Sequence, residues 1–516
     1  YIMNDIVAYL GTHHEIKELV LVLGVKSSAA LVYDVCRIVQ LDSLVLVALE
    51  EDIKKEVQKM FQKMQCGSGM HMPGRIEWTG AEGILAYQAQ TNHLALMFDS
   101  LEQAEQVNVF SVIKPRYLIG MVNRQEIHPV KIWEVYRKVC EYIYILSWEE
   151  DHQNEAMNWT RNAKDGIELS LIFPVYCVAD YIETCITSVT AWKADYVEYL
   201  FVDDGSLDES ADLIRSYAKK DKRIRLFQKT NGGCASARQY GLERARGRYV
   251  GFVDPDDYVD KTMFRKLFSR ALTGSYEISY CGYQELYEDT QTTKEVPDVL
   301  GMPYMEGTSD RNRIDELIAY RRVAIWRGIY FKDMIDRNHI HFHTKIRRFD
   351  DLPFKMETLA VARSVVAVPE YLYYYRMLRP GQDVSADDER LYVHFLIFKY
   401  LDKFFSKTKE KVQLDYLQVV KIQTHRWALE KIRPEFMGEY CLRARKDLLS
   451  NFPYQEGKYI LRQFASWKDQ LYFTAICSGN IQLVKLLAGY QGGRGRVRRK
   501  QRQLKKLEQI SVKYGK

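Results

Sequence analysis

Three carboxylates crowd the end of one short apolar run, Arg248-Tyr-Val-Gly-Phe-Val-Asp-Pro-Asp-Asp257. Asp254, Asp256 and Asp257 repel one another unless something neutralises them. Hard divalent cations with oxygen ligands, Mn²⁺ or Mg²⁺, do that while also holding a diphosphate. Asp-x-Asp at a strand end therefore reads as a metal and nucleotide-diphosphate anchor, with Asp254 and Asp256 as ligands and Asp256 the more direct one. Asp257 could ligate, cap the next helix or hold water. Such acid clusters also occur as solvated turns or helix caps, and the tripeptide by itself leaves that alternative open.

The acids need a scaffold that ends several strands at one crevice. A continuous apolar run as short as 249–253 fits a strand buried on both faces, and ligands of open α/β sheets sit at the carboxyl ends of such strands. Upstream, Glu168-Leu-Ser-Leu-Ile-Phe-Pro-Val-Tyr176 predicts a strand, followed by a helical pattern from Asp180 to Val189. Val197 to Ser206 predicts a second strand ending in acids, and Asp208 a helix cap. Ile224 to Phe227 predicts a third, leading through the turn Asn231-Gly-Gly233 into a helix bearing Ala237, Gly241 and Ala245 on one side. Strands alternating with helices predict a parallel doubly wound sheet.

In that order, Pro174-Val-Tyr176, Val202-Asp-Asp-Gly-Ser206, Asn231-Gly-Gly233 with Ala237-Arg238, and Phe252-Val-Asp-Pro-Asp-Asp257 resemble the nucleotide-sugar half of a family 2 glycosyltransferase with the GT-A fold. Trp326 to Tyr330, Arg348-Phe-Asp-Asp-Leu-Pro-Phe354 and Tyr371-Leu-Tyr-Tyr-Tyr-Arg376 resemble the acceptor half of bacterial, surface-polysaccharide members, in which a Glu/Asp-Asp pair carries the catalytic base. The likeness covers about residues 166–385. Pro255 departs from the Ser usual in the family, which leaves the carboxylates intact. Asp350 departs from the more usual Glu, which bears on which of Asp350 and Asp351 takes the proton.

The resemblance implies an inverting, metal-dependent enzyme that moves a sugar from a nucleotide-sugar donor, a UDP-sugar, to a hydroxyl of a glycan or lipid-linked glycan. Asp351 is the implied base, with Asp350 beside it raising its pKa by like-charge repulsion. Pro174, Val175 and Tyr176 are implied at the base and ribose, Asp203 at the uracil edge with Asp204 nearby, and Arg238 at the nucleotide. A carboxylate at 203 would accept the imide N–H of uracil; taken alone, Asp203-Asp-Gly-Ser206 reads as a turn and cap. Arg376 and Arg379 read equally as a diphosphate clamp or a solvated loop. One base and no nucleophile implies single displacement with inversion, the logic of inverting glycosidases with a hydroxyl in place of water.

His339, His341 and His343 alternate, so an extended segment would put them on one face. A metal triad there competes with acceptor binding or a plain exposed edge, and Mn²⁺ and Mg²⁺ favour oxygen. A non-catalytic nucleotide-sugar-binding scaffold or sensor on the same fold is the second function class. Asp254, Asp256 and Asp351 together speak against it, since a binder needs no base. No nucleic-acid partner is expected, because stacking platforms and reading motifs are lacking.

At 516 residues the chain is too long for one ordinary core. The expected domains are an N-terminal Rossmann-like α/β domain of unknown role over 1–161, the GT-A domain over 166–385, a helical region over 386–490 and a basic tail over 491–516. In the first, Gly24 and Glu50 follow strand candidates, but Gly24-Val-Lys-Ser-Ser-Ala-Ala lacks the further glycines that let a backbone approach phosphate. Residues 151–165 are polar and predict a linker, and 285–310 a polar surface excursion. Apolar and aromatic residues at helical spacing, Tyr392, Phe395, Leu396 and Tyr400, predict helices packed on the GT-A domain or a homo-oligomer surface.

The tail carries ten Lys/Arg against the single Glu508, so its +9 exceeds the whole chain's +6 and leaves the other residues at −3. Such a tail fits a solvated end, a nucleic-acid arm or, preferred here, attachment to an anionic membrane surface. No apolar run approaches the ~18 residues needed to span a bilayer. The chain starts at Tyr1 without Met or a basic-then-apolar leader, which predicts a fragment and no signal peptide. Nine scattered cysteines without CxxC pairs predict reduced thiols. The expected location is the cytoplasm, peripheral on the inner face of the cell membrane.

Overall fold

The computed structural model describes residues 9–10, 12–13, 16–23, 28–38, 41, 43–48, 51–65, 73, 75–79, 94–98, 115–123, 129–149, 152–160, 166–298, 301–377, 386–408 and 410–489. Gly24, Glu50, Arg379 and the tail over 491–516, all singled out above, lie outside the described residues.

The first sheet contains β1 (Glu18–Leu23), β2 (Ser43–Ala48), β3 (Arg75–Thr79), β4 (Leu94–Phe98), β5 (Tyr117–Asn123), β6 (Tyr142–Glu149) and β7 (His152–Thr160), in the order β3-β2-β1-β4-β5-β6-β7. Six strands are parallel, and β7 runs antiparallel on β6. This is the doubly wound order 3-2-1-4-5-6 with an added edge strand. Leu19, Val20, Leu21 and Val22 of β1 are all buried, as a central parallel strand covered on both faces requires. The described helices of this part are α1 (Ser28–Ile38), α2 (Glu51–Gln65) and α3 (Pro129–Tyr136).

The linker expected over 151–165 is mostly strand β7. Its Met157 and Trp159 turn inward while Asn158 is exposed, a period of two too short to stand out in so polar a stretch. Trp159 Nε1 donates to buried Glu168 at 3.1 Å, and Trp133 of α3 packs edge-on against Tyr196, so the first sheet joins the second through a shared core.

The second sheet contains β8 (Leu169–Val175), β9 (Val197–Asp203), β10 (Ile224–Gln228), β11 (Tyr249–Phe252), β12 (Tyr258–Val259), β13 (Ile278–Tyr287), β14 (Thr292–Val296), β15 (Gly328–Phe331) and β16 (Val365–Arg376). Their order is β10-β9-β8-β11-β15-β13-β16-β12, with β14 hydrogen-bonded to β13. β8 pairs in parallel with β9 on one side and β11 on the other, so the chain winds outward in both directions from β8. The crevice beyond the carboxyl ends of β8 and β11 is therefore a topological switch point, where open α/β sheets bind ligands. The surface excursion expected over 285–310 is partly ordered, because β14 closes a hairpin on β13.

Helices α4 (Ala179–Thr190), α5 (Ser210–Ala218), α6 (Cys234–Arg244), α7 (Met263–Thr273), α8 (Arg311–Tyr320), α9 (Lys332–Arg337) and α10 (Asp351–Val361) flank this sheet. A Cβ at Gly241 would stand 2.4 Å from Ile172, so glycine lets α6 lie close on β8. The helical region follows as α11 (Val393–Thr408), α12 (Lys411–Leu429), α13 (Pro434–Leu448), α14 (Tyr454–Phe464), α15 (Trp467–Ser478) and α16 (Ile481–Leu487). Its core continues without a break from that of α8 and α10. On α11 the buried stripe is His394, Ile397, Phe398, Leu401 and Phe405, while the predicted Phe395, Leu396 and Tyr400 are half-buried flanks.

Candidate active site

β11 delivers its acids into the crevice as its sequence suggests, but the three have different surroundings. Asp257 is fully buried, and its two carboxylate oxygens accept from the Arg376 backbone N–H at 2.8 Å and the Tyr373 hydroxyl at 2.9 Å. Burial, reinforced by Asp256 and Asp254, raises its pKa well above the usual carboxylate range. It ties the acid turn to β16. Asp254 keeps 24% of its side chain exposed, and its backbone N–H donates to the same Tyr373 hydroxyl. Asp256 is 8% exposed.

Arg238 lies one turn into α6 and is buried. Its Nη2 donates to Asp254 at 2.6 Å and its Nη1 to Asp350 at 2.9 Å. A single guanidinium thus bridges the acid turn after β11 to the acid pair that opens α10. The guanidinium has strong electrostatic reason to stay charged, with Asp350, Asp254 and Asp351 all around it.

Asp351, the first residue of α10, is pushed up to about 7. Burial is the main cause, followed by Asp350, with Arg238 opposing and Asp254 adding. Further along α10, Phe354 belongs to an aromatic cluster: Phe342 and Phe354 stack at 4.6 Å, Phe252 meets Phe354 edge-on at 5.2 Å, and Tyr330 does the same at 5.2 Å. A carboxyl poised near neutral pH can exist in either protonation state, as a general acid or base requires.

The turn that presents these acids is held from outside the GT-A fold. Phe349, directly before Asp350, has φ of +55°, a left-handed conformation that bulky residues avoid. Its ring is 5.0 Å from His394 of α11 and 5.8 Å from Trp427 of α12. Behind them, the Tyr440 hydroxyl lies 3.2 Å from His394 Nδ1 and 3.1 Å from His425 Nδ1, and His425 Nε2 is 2.8 Å from Asp447. Burial drives the pKa of His394 down to about 3, so this ring is neutral. The helical region therefore supports the acid pair directly.

On the β8 and β9 side, Pro174 is half-buried, Val175 is buried and Tyr176 is 49% exposed at the mouth of the crevice. Asp203 accepts from Ser206 N–H at 2.9 Å and from Gln228 Nε2 at 3.1 Å, so it caps the turn that follows β9. Asp204 accepts from the Gly232 and Gly233 N–H groups and from Lys229 Nζ at 2.6 Å, which fastens the Asn231-Gly-Gly turn. Gly233 takes φ of +87° at the entry to α6.

Arg376 is buried between the rings of Tyr181 and Tyr258 and ion-paired with Glu288, a structured place rather than a solvated loop. His339 and His341 are exposed, whereas His343 turns to Glu357 at 2.7 Å and stacks on Tyr400. The alternating histidines do not converge on one point. Among the described residues no group of three or more His, Cys, Asp or Glu is placed to hold a metal ion. Asp254 and Asp256 supply two hard oxygen donors, the number Mg²⁺ uses when substrate phosphates complete its shell. The residues present thus fit a divalent ion together with a diphosphate.

Sequence reasoning missed Tyr373, Phe349 and Lys355. Lys355 lies one turn beyond Asp351 on α10, is buried, and donates to the Ile318 carbonyl at 2.7 Å. Burial, with Arg321 next in effect, pushes its pKa down to about 7. The helical period from Asp351 to Lys355 was the available signal. Tyr373 had none beyond its place in an aromatic strand.

Residues 170–338 match the family described as glycosyl transferase family 2. The chain is 35% identical over 212 residues to the glycosyltransferase EpsJ of Bacillus subtilis (strain 168), covering 40% of this chain and 60% of EpsJ. It is 30% identical over 257 residues to the glycosyltransferase YibD of Escherichia coli (strain K12), covering 48% of this chain and 74% of YibD. The chain thus spans about 60% of the length of EpsJ and of B. subtilis EpsH, and more of YibD. S. aureus TarS 1–349, solved in complex with UDP-GlcNAc, superimposes with a TM-score of 0.51 at 18% identity, covering 63% of this chain and 91% of that one. That likeness concerns the fold.

Proposed function

The chain belongs to glycosyl transferase family 2, and we propose that its crevice transfers a hexosyl or N-acetylhexosaminyl group from a UDP-sugar to a hydroxyl of a glycan or lipid-linked glycan, with inversion. The observation that carries the proposal is the bridge from Asp254 through Arg238 to Asp350, which brings the donor-side acids beside Asp351. The UDP-GlcNAc complex of the similarly folded TarS 1–349 supports the choice of uracil as nucleobase.

Tyr176, exposed at the end of β8, offers its ring to the uracil, and Asp203 and Asp204 shape the turn around it. Mn²⁺ or Mg²⁺, held by Asp254 and Asp256 with the diphosphate oxygens, would offset the charge that builds on the departing nucleoside diphosphate. Arg238 fixes the spacing of the two acid pairs and keeps the pKa of Asp351 from climbing further. Asp351 takes the proton of the attacking hydroxyl, and Phe354, packed against Phe252 and Phe342, anchors its helix. Asp257 and Tyr373 position the acid turn, and buried Arg376 braces it through its backbone.

A location on the cytoplasmic face of the cell membrane, with the tail over 491–516 on anionic lipid, belongs to the same proposal. Among the described residues no helix is long and apolar enough to cross a membrane.

Turnover of a UDP-sugar panel with Mn²⁺ and a glycan acceptor, compared with Asp256→Ala and Asp351→Asn, tests the assignment. Transfer should fall by at least about a hundredfold in each. Variants as active as the parent would remove the proposed roles. A parent that binds UDP-sugar without turnover would favour the scaffold or sensor.

A further inference from the structure

The last helices carry an apolar groove whose charged lining residues are both cations. Lys458 and Arg462 of α14 with Trp467 and Leu471 of α15 line a cavity of about 290 Å³. Trp467 is 67% exposed and Leu471 45%, one helical turn apart on the same side of α15. Tyr459, next to Lys458, is 62% exposed. An exposed Trp and Leu on one side of a helix, beside an apolar groove, are unusual for a surface left to water.

From 457 to 489 the ionisable acids and bases with fixed charge are Lys458, Arg462, Lys468, Lys485 and Asp469. Asp469 is buried, paired with Arg426 at 2.9 Å and bonded to the Ser466 hydroxyl that caps α15. The nearest acid before this span, Glu456, lies 3.8 Å from Lys411. The groove is thus lined by two cations, Lys458 and Arg462, and by no acid, and Glu456 is the one acid of the two helices that stays exposed.

We propose that this α14–α15 face docks on an anionic lipid bilayer, with Trp467 and Leu471 entering the boundary between headgroups and acyl chains and Lys458, Arg462 and Lys468 meeting lipid phosphates. Trp and Tyr join an apolar body to a polar tip and favour that boundary. Lys and Arg lay apolar stems along it while their charges reach the phosphates. A second copy is a poor occupant, because a two-fold contact would set the same cations against themselves. The chain's own tail is equally poor, since it carries +9. The inference rests on this surface and not on the transfer chemistry, and it would hold even if the acceptor were misassigned.

Flotation of the full chain with vesicles of phosphatidylcholine, alone or mixed with phosphatidylglycerol, tests it. Changing Lys458, Arg462 and Lys468 together to Gln should lower partition onto the mixed vesicles by about a hundredfold, at about a factor of five for each charge. Trp467→Ser with Leu471→Ser should lower it by roughly tenfold or more. Both variants should keep the parent's melting temperature within a few degrees and its turnover of UDP-sugar with a soluble acceptor. The surface charge variant keeps the test valid should the serine pair disturb folding. Partition unchanged in the charge variant overturns the proposal. So does a serine pair that turns a dimer into a monomer by light scattering while vesicle binding persists, since the face would then join two copies.

Discussion

Arg238 Nη1 donates to Asp350 Oδ2 at 2.9 Å, joining residues 112 positions apart in the sequence. The same guanidinium reaches Asp254 through Nη2, so one buried cation sets the distance between the acids after β11 and those that open α10. Removing it would leave both acids without their cation, one of them buried, which typically costs about 3–5 kcal/mol. Arg238 also lowers the pKa of Asp351, so its loss moves that pKa upward. In Arg238→Gln the acid limb of the kcat/KM profile should shift to higher pH, and the melting temperature should fall. An unshifted limb in a folded variant would remove the electrostatic link.

The parent enzyme should lose activity as pH falls through about 7, the value to which Asp351 is pushed up. Below it the base is protonated, and kcat/KM should drop about tenfold per pH unit. Initial rates from pH 5 to 9 at saturating Mn²⁺ would show it. A plateau reaching down to pH 5 would place the base elsewhere.

Asp351→Asn should lose transfer and gain stability. A folded pKa raised above the unfolded one gives stability that is fully present below about pH 4 and lost as pH rises through about 7. Ionised Asp351 therefore destabilises the fold at pH 8, and asparagine removes that cost. The melting temperature of the variant should exceed that of the parent at pH 8, and the gap should shrink toward pH 5. Equal melting at both pH values would contradict the buried, perturbed carboxyl.

Asp256 and Asp257 should respond differently although they are neighbours. The pKa of Asp257 is raised well above the usual range while its oxygens face Arg376 N–H and the Tyr373 hydroxyl, so Asp257→Asn replaces a group of the same shape. Isothermal titration with UDP and Mn²⁺ should find near-parental affinity in Asp257→Asn and a loss of about tenfold or more in Asp256→Ala. Addition of a chelator should bring the parent down to the Asp256→Ala level.

Trp427→Ala should slow transfer without touching donor binding. Its ring is 5.8 Å from that of Phe349, whose left-handed backbone aims Asp350 and Asp351. Freed of that contact, the turn loses its fixed geometry, and a small misplacement of a base can cost about a hundredfold in kcat. KM for the UDP-sugar should stay near the parent's. A KM change with unchanged kcat would assign Trp427 to the donor side instead.

Much of the donor half was legible in the chain itself. Strands β8, β9 and β11 are short apolar runs ending in Tyr176, Asp203 and Asp254, and buried parallel strands announce themselves by composition. The Rossmann-like character of the first sheet was legible for the same reason, whereas its strand order and β7 were not. An edge strand alternates, and Met157 and Trp159 among polar residues say little until β6 lies beside them.

Local sequence therefore determined which residues end strands in acids, where helices run and which glycines admit close approach. Hydrogen-bond partners far along the chain decided what each acid does. Asp254, Asp256 and Asp257 look alike as a tripeptide pattern, yet Asp257 is sealed under Tyr373 and Arg376 while Asp254 meets Arg238. The pKa of Asp351 depends on its desolvation and on charges from three separate segments, and its aim depends on His394 and Trp427 from the helical region. Desolvation and long-range Coulomb interaction act through space, and only the folded chain brings those groups within reach of one another.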